Sequence, residues 1–232
     1  MNRRKLLADI SHEFRTPLTV IRGESEIALR GTNKTKTDYR ETFHRIVDQA
    51  DHTTRLVDDL LFMARADAGE PRLKLHSVAI ASMVDSVCKE FDAKSKQMGV
   101  SIKQSRDGPK AVVLGDAGRL RQVFAILIDN ALRYSDSGGR VEVHVSEKNS
   151  KIFISFRDHG IGITEEEAEL AFERFYRGKK AEEHARGTGL GLPVAKAIVE
   201  AHQGNISLQG RPGEGATATV TLPSEGRLRA VA

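Results

Sequence analysis

The first 68 residues contain two long stretches of helical periodicity, separated by the polar segment GTNKTKTD at 31–38, and this arrangement leaves few folds open. In the second stretch Tyr39, Phe43, Ile46, Ala50, Thr53, Val57, Leu60 and Ala64 recur at alternating spacings of four and three, the seam of a coiled coil. The first stretch carries a matching seam through Leu7, Ile10, Phe14, Pro17, Ile21 and Ala28. The pair forms a helical hairpin. Two helices alone cannot bury both apolar faces, so the hairpin is expected to dimerise into a four-helix bundle, making the chain a homodimer.

Within the first helix, SHEFRTPL sets residues side by side that packing does not require. His12 lies two residues from both Ile10 and Phe14, about 200° around the helix from each, so it points away from the seam and is exposed. Glu13 can hold or deprotonate the imidazole, and Thr16, one turn on, puts a hydroxyl on the same face. Pro17 cannot donate to the carbonyl of Glu13, which allows the helix to bend there. A neutral imidazole beside a carboxylate is a competent nucleophile near pH 7. The remaining histidines, at 44, 52, 76, 144, 159, 184 and 202, are read as solvated by default.

Composition narrows the classes. With 39% hydrophobic and 29% charged residues, the chain can bury a core of useful size. Its single cysteine, Cys88, sits in the amphipathic stretch VDSVCKEF and reads as a reduced core residue in a cytosolic setting. The net charge of +4 reads as solvated surface: the longest basic run is Arg3-Arg4-Lys5, and the few aromatics form no stacking platform, so nucleic acid is not expected. No apolar run approaches the roughly 20 residues that cross a bilayer, so this fragment is expected to make no membrane contact.

After the linker DAGEPR, residues 69–232 read as a second domain. An amphipathic helix is expected at about 79–96, short strands near 100–104 and 111–115, and a helix over 116–134. Two alternating strands, VEVHVSE and KIFISFRD, meet at a Lys148-Asn149-Ser150 turn. A glycine-rich DHGIGI, the segment FERFYRG, a charged run to Arg186 and GTGLGL follow, then a helix to His202 and the strands NISLQG and ATATVTL. Helices and mainly antiparallel strands mix without a βαβ rhythm, giving an α+β two-layer sandwich. GTGLGL lacks the Gly-Lys-Ser/Thr ending of a Walker loop and follows no strand, but it offers backbone N–H groups at a helix start, where phosphate oxygens can sit.

Taken in order, SHEFRTPL, DNALRYS, DHGIGI, FERFYRG and GTGLGL make the chain, over roughly residues 5 to 223, resemble the catalytic core of the sensor histidine kinases of two-component signalling. SHEFRTPL is similar to the H box of the dimerisation and phosphotransfer domain (1–68). The other four are similar to the N, G1, F and G2 boxes of the ATP-binding domain (69–232), a fold shared with DNA gyrase and mismatch-repair ATPases. The resemblance implies that Asn130 binds Mg²⁺, Arg133 reaches phosphate and Tyr134 packs near adenine. It implies that Asp158 accepts from the adenine amino group, with Gly160 and Gly162 letting backbone approach the base. Residues 164–187 would form a lid in which Arg177 touches the γ-phosphate, and Gly187, Thr188, Gly189, Leu190 and Gly191 would hinge it and line the triphosphate. The implied reaction is ATP-dependent phosphorylation of His12, with transfer to an aspartate of a response regulator receiver domain and phosphatase activity aided by Thr16. One position departs from the family's pattern: Ile126 stands where a second asparagine is usual, so slow turnover, or a nucleotide-binding docking scaffold, is an alternative. A gyrase-like ATPase is another, which the H box opposes. The start at RRKLLADISHE suggests a sensor upstream, and a membrane-bound sensor would make this its cytoplasmic part.

Overall fold

The computed structural model describes residues 3–30, 35–108, 111–184 and 187–225. The chain divides into two compact units, Met1–Ala68 and Gly69–Ala232.

In the first unit, helices α1 (Arg3–Arg30) and α2 (Lys36–Asp67) pack on one another. Of the polar connector, 31–34 lie outside the described residues. Thr35 begins α2: its hydroxyl accepts from the Asp38 N–H at 3.2 Å while the Asp38 carboxylate accepts from the Thr35 N–H at 2.8 Å, a reciprocal cap worth about 1 kcal/mol. Arg45 ties the helices with a fork of two bonds, 2.9 and 3.0 Å, to the Glu24 carboxylate. α1 runs on through Pro17, whose side chain is buried.

The seam expected along α2 is displaced. Of the residues buried along α2, Thr42, Leu56 and Met63 stand at heptad-related positions with Phe62 beside the last, whereas Phe43 and Val57 are 59% and 39% exposed and Ala50 and Ala64 are exposed too. Because the hairpin closes on a stripe one residue earlier, part of the apolar pattern is left uncovered. Leu18, Val20 and Ile27 on α1 and Val47 and Leu61 on α2 are likewise exposed. The Leu7 side chain lies outside the described residues.

In the second unit β1 (His76–Ala79) pairs antiparallel with β3 (Val112–Gly115). The expected 79–96 helix is two, α3 (Ile80–Glu90) and α4 (Asp92–Met98), which share Phe91 as a cap before Gly99 ends the second in the left-handed region. A five-stranded sheet follows the order β2-β4-β5-β7-β6, from β2 (Ser101–Asp107), β4 (Arg140–Lys148), β5 (Lys151–Arg157), β6 (Asn205–Arg211) and β7 (Gly215–Pro223). Only the β2–β4 pair is parallel. The β4–β5 turn is the two residues Asn149 and Ser150, both at positive φ, closed by the Lys148–Lys151 pair.

Alternation along β4, β5 and β7 sends Val141, Val143, Val145, Ile152, Ile154, Phe156, Val220 and Leu222 to one face, where all are buried. Helices α3, α5 (Ala117–Tyr134) and α8 (Gly191–Ala201) cover that face, and Phe124 of α5 meets Phe156 with ring centroids 6.0 Å apart. This is a two-layer α+β sandwich. Short helices α6 (Glu165–Leu170) and α7 (Lys179–His184) occupy the stretch between β5 and GTGLGL. Cys88 is buried, and burial pushes its thiol up to about 12, so it is an inert core residue. His202 departs from the solvated reading: it is 6% exposed and hydrogen-bonded through both ring nitrogens.

Candidate functional site

The C-terminal half of α5 gathers the glycine-rich segments of the second unit. Tyr134, half-buried in its last turn, offers its carbonyl to the Ile161 N–H at 3.2 Å. Gly160 lies so close that a Cβ there would sit 1.7 Å from the same carbonyl oxygen. Gly162, at φ +67°, would place a Cβ 1.8 Å from the Arg211 carbonyl oxygen, and Gly213 N–H donates to the Ile161 carbonyl at 2.8 Å. These two glycines therefore let the 158–163 loop pack against the protein's own backbone, which fixes the loop between α5 and the β6–β7 hairpin.

Asp158, 7% exposed, stands at the end of β5. Its Oδ1 accepts from the N–H groups of Gly160 (3.0 Å) and Ala216 (3.1 Å), while its own N–H donates to the Ala216 carbonyl at 2.9 Å. Burial pushes the carboxyl above its ordinary range, and the two N–H donors partly offset that. One oxygen is thus spent on holding the loop, which orients the other.

The second glycine segment lies along the same helix. Gly187 approaches Arg133, whose Nη1 is 3.6 Å from where a Cβ would be, and Gly191 approaches Ile126, 3.2 Å from the Cγ2 by the same measure. Gly189, at φ +69°, leaves no room for a side chain beside Phe175, whose N–H donates to the Gly189 carbonyl at 3.0 Å. Thr188 Oγ1 accepts from the Leu190 N–H at 3.3 Å, and the Leu190 side chain is buried, so only its backbone is on offer to a ligand. Gly191 opens α8 with no side-chain cap, and Pro193 in its first turn has no N–H, leaving Gly191 and Leu192 as donors at that end.

Asn130, half-buried, follows Ile126 by one turn. Arg133 Nη2 donates to Asp129 at 2.6 Å, and Arg177 Nη2 donates to the Ala181 carbonyl of α7 at 2.8 Å. The Tyr134 ring faces His184 of α7 at 6.3 Å between centroids. In the hairpin unit His12 and Thr16 are exposed and Glu13 is half-buried, and the Thr16 hydroxyl donates to the His12 carbonyl at 3.5 Å.

Sequence reasoning missed Ala216, Asp129 and Lys94. Ala216 acts through backbone alone, brought beside Asp158 by the β5–β7 register, so its side chain carries no signal. Lys94 of α4 and Asp129 form an ion pair between residues 35 apart, which periodicity does not disclose.

A helical hairpin followed in sequence by a two-layer α+β sandwich, with two glycine-rich segments gathered on one of its helices, defines the class. Residues 2–69 match the His Kinase A (phospho-acceptor) domain, and residues 115–226 match the family described as histidine kinase-, DNA gyrase B-, and HSP90-like ATPase. The chain belongs to the two-component histidine kinases, of which it comprises a catalytic core. It is 35% identical over 225 residues to the signal transduction histidine-protein kinase BaeS of Escherichia coli (strain K12), covering 96% of this chain and 47% of that protein. It thus spans about half the length of that relative. Among solved structures it is similar to the Acinetobacter baumannii histidine kinase AdeS, with a TM-score of 0.72 and 25% identity, covering 92% of this chain and 98% of that one. The full-length ShkA structure in complex with AMPPNP matches with a TM-score of 0.70 and 28% identity, covering 95% of this chain and 46% of that one. Among the described residues no helix is long and apolar enough to cross a membrane.

Proposed function

We propose that this chain phosphorylates itself on His12 from Mg·ATP and passes the phosphoryl group to an aspartate of a response regulator receiver domain. The observation that carries the reading is the convergence on α5 of the 158–163 loop and GTGLGL, with a buried carboxylate oriented by two backbone donors. The AMPPNP bound to ShkA supports an adenine nucleotide as ligand.

In this reading the second oxygen of Asp158 accepts from the adenine amino group and Tyr134 packs near the base. Arg133 reaches phosphate, Arg177 of the lid segment serves the γ-phosphate, and the 187–191 backbone lines the triphosphate. Among the described residues no cluster of three His, Cys, Asp or Glu side chains could hold a metal by itself. A single amide oxygen, that of Asn130, fits an ion that enters with the nucleotide and takes its other ligands from phosphate and water. Bound there, Mg²⁺ neutralises charge on the phosphate oxygens. An imidazole nitrogen of His12 forms the new bond to the γ-phosphorus as the bond to ADP breaks, and Glu13 orients the ring or takes its proton. Thr16 suits the reverse duty, positioning water against a phospho-aspartate, so phosphatase activity is part of the proposal. The uncovered apolar residues of α1 and α2 are the homodimer surface. The reactions belong to the cytoplasm, with any sensor supplied by further sequence.

Ile126 against Gly191 favours a second reading, a nucleotide-binding docking scaffold with little turnover. Incubation with γ-labelled ATP and Mg²⁺ separates the two. Label that is acid-labile and base-stable, and that disappears in His12→Gln while nucleotide binding persists, is the expected result. Nucleotide binding with no label on the unsubstituted chain would favour the scaffold, and hydrolysis without phosphohistidine would favour a gyrase-like ATPase.

A further inference from the structure

Asp129 sits between two cations. Its Oδ2 accepts from Arg133 Nη2 at 2.6 Å, one turn along α5, and its Oδ1 accepts from Lys94 Nζ, which comes from α4. Arg133 is also the side chain nearest the missing Cβ of Gly187, at the entrance to GTGLGL. The three charges therefore lie between a helix outside the glycine loops and the loop itself, next in sequence to Asn130.

We propose that Lys94 and Asp129 are positioning residues of the nucleotide site, Asp129 holding Arg133 beside GTGLGL and Lys94 keeping Asp129 paired when Arg133 turns to the phosphates of a nucleoside triphosphate. The proposal rests on the nucleotide-binding reading above. Its physical basis is the cost of leaving a partly buried carboxylate alone. Asp129 is only 24% exposed at its side chain, and separating it from its sole cation would cost more than a surface pair does. With Lys94 in place, Asp129 keeps a cation after Arg133 leaves, so the transfer of Arg133 to phosphate is not opposed by a stranded charge.

The two partners are distinguished by the size of the effect. Lys94→Ala leaves Arg133 as the sole partner of Asp129 and is expected to weaken ATP binding about fivefold, the equivalent of an ion pair of roughly 1 kcal/mol. Asp129→Asn removes the carboxylate that holds Arg133 beside GTGLGL and is expected to weaken ATP binding more than Lys94→Ala does. Lys94→Arg restores the ordinary affinity. Adenosine has no phosphates and its affinity is expected to stay within about twofold in all three. The measurement is displacement of a fluorescent adenine nucleotide by ATP and by adenosine on the full chain. Weaker binding of both ligands in both Lys94→Ala and Asp129→Asn would overturn the proposal and make the cluster a tie between α4 and α5. Unchanged ATP affinity in both would overturn it as well. Failure of the unsubstituted chain to bind ATP would overturn the nucleotide reading itself, a result distinct from either.

Discussion

At the scale of single residues, the role proposed for Asp158 divides loop and ligand between the two oxygens of one carboxylate. Asparagine in its place keeps an oxygen for the Gly160 and Ala216 N–H groups and removes the buried charge that burial already disfavours. Asp158→Asn is therefore expected to leave the thermal midpoint unchanged or raised while lowering adenine nucleotide affinity by about 1–3 kcal/mol, because an amide N–H₂ then meets the adenine amino group. Calorimetric titration with an unhydrolysable nucleotide checks it; unchanged affinity would remove Asp158 from the site. For Thr16 the comparison is between two directions of the same chemistry. Its hydroxyl is exposed on the face of His12 and not needed to deprotonate it, so Thr16→Ala should keep autophosphorylation within about tenfold, roughly 1.4 kcal/mol of barrier. Dephosphorylation of the cognate regulator should fall by about 10²–10⁴, the usual worth of positioning a reacting water. Equal losses would make Thr16 a structural residue of α1. The exposed placement of His12 and Thr16 was legible because helical spacing fixes which side chains share a face. Asp158 was visible as a residue, but its second bond was not, since Ala216 contributes only an N–H whose place depends on strand register.

At the scale of elements, His202 joins three pieces of the sandwich. It ends α8, where Nδ1–H donates to the Ile198 carbonyl at 2.7 Å, and its Nε2 accepts from the Asp116 N–H at 2.9 Å. Asp116 in turn caps α5 by accepting from the Arg119 N–H and holds the chain before β1 by accepting from the Lys74 N–H. This geometry requires the neutral ring. Burial lowers the His202 value below 6.5, against the opposing pull of the Ile198 carbonyl and the Asp116 charge. The unfolded chain therefore takes up this proton first as pH falls. The contribution is fully present above 6.5 and is lost as pH drops from there through the lower folded value. Denaturant unfolding across that window should show a steeper loss of stability in the unsubstituted protein than in His202→Phe, which does not titrate; equal slopes would refute the assignment. The histidine was read as solvated because helix periodicity places it at an end, where burial depends on what the next elements cover. Long alternating strands such as β4 and β5 were legible for the opposite reason, since each buries a full face of the sheet. The four-residue β1 was not, having a single buried residue, Val78. Nor was the break at Phe91, where one capping residue replaces a helical one with no glycine or proline to mark it.

At the scale of the whole molecule, the two units draw their stability from different sources, and that difference can be measured. The sandwich encloses its own core between one sheet face and three helices, so its unfolding should not depend on how concentrated the protein is. The hairpin leaves Phe43, Val47, Val57 and Leu61 exposed along α2 and Leu18 and Ile27 along α1, and in the proposed homodimer these residues are covered by a second copy. Mass action then links its folding to association, so its midpoint must rise with protein concentration. Calorimetry is expected to show two transitions. The one that moves with protein concentration belongs to the hairpin and should lose that dependence in Phe43→Asp, which places a charge in the covered stripe. The other should be insensitive to concentration and rise with ATP, by about 2.7 kcal/mol when the ligand stands at a hundred times its dissociation constant. The two proposed ligands of the molecule, a second copy and a nucleotide, thus act on separate transitions. A single transition that responded to both would show that the units unfold together, and a hairpin transition fixed across a hundredfold range of concentration would leave the exposed stripe without its proposed partner.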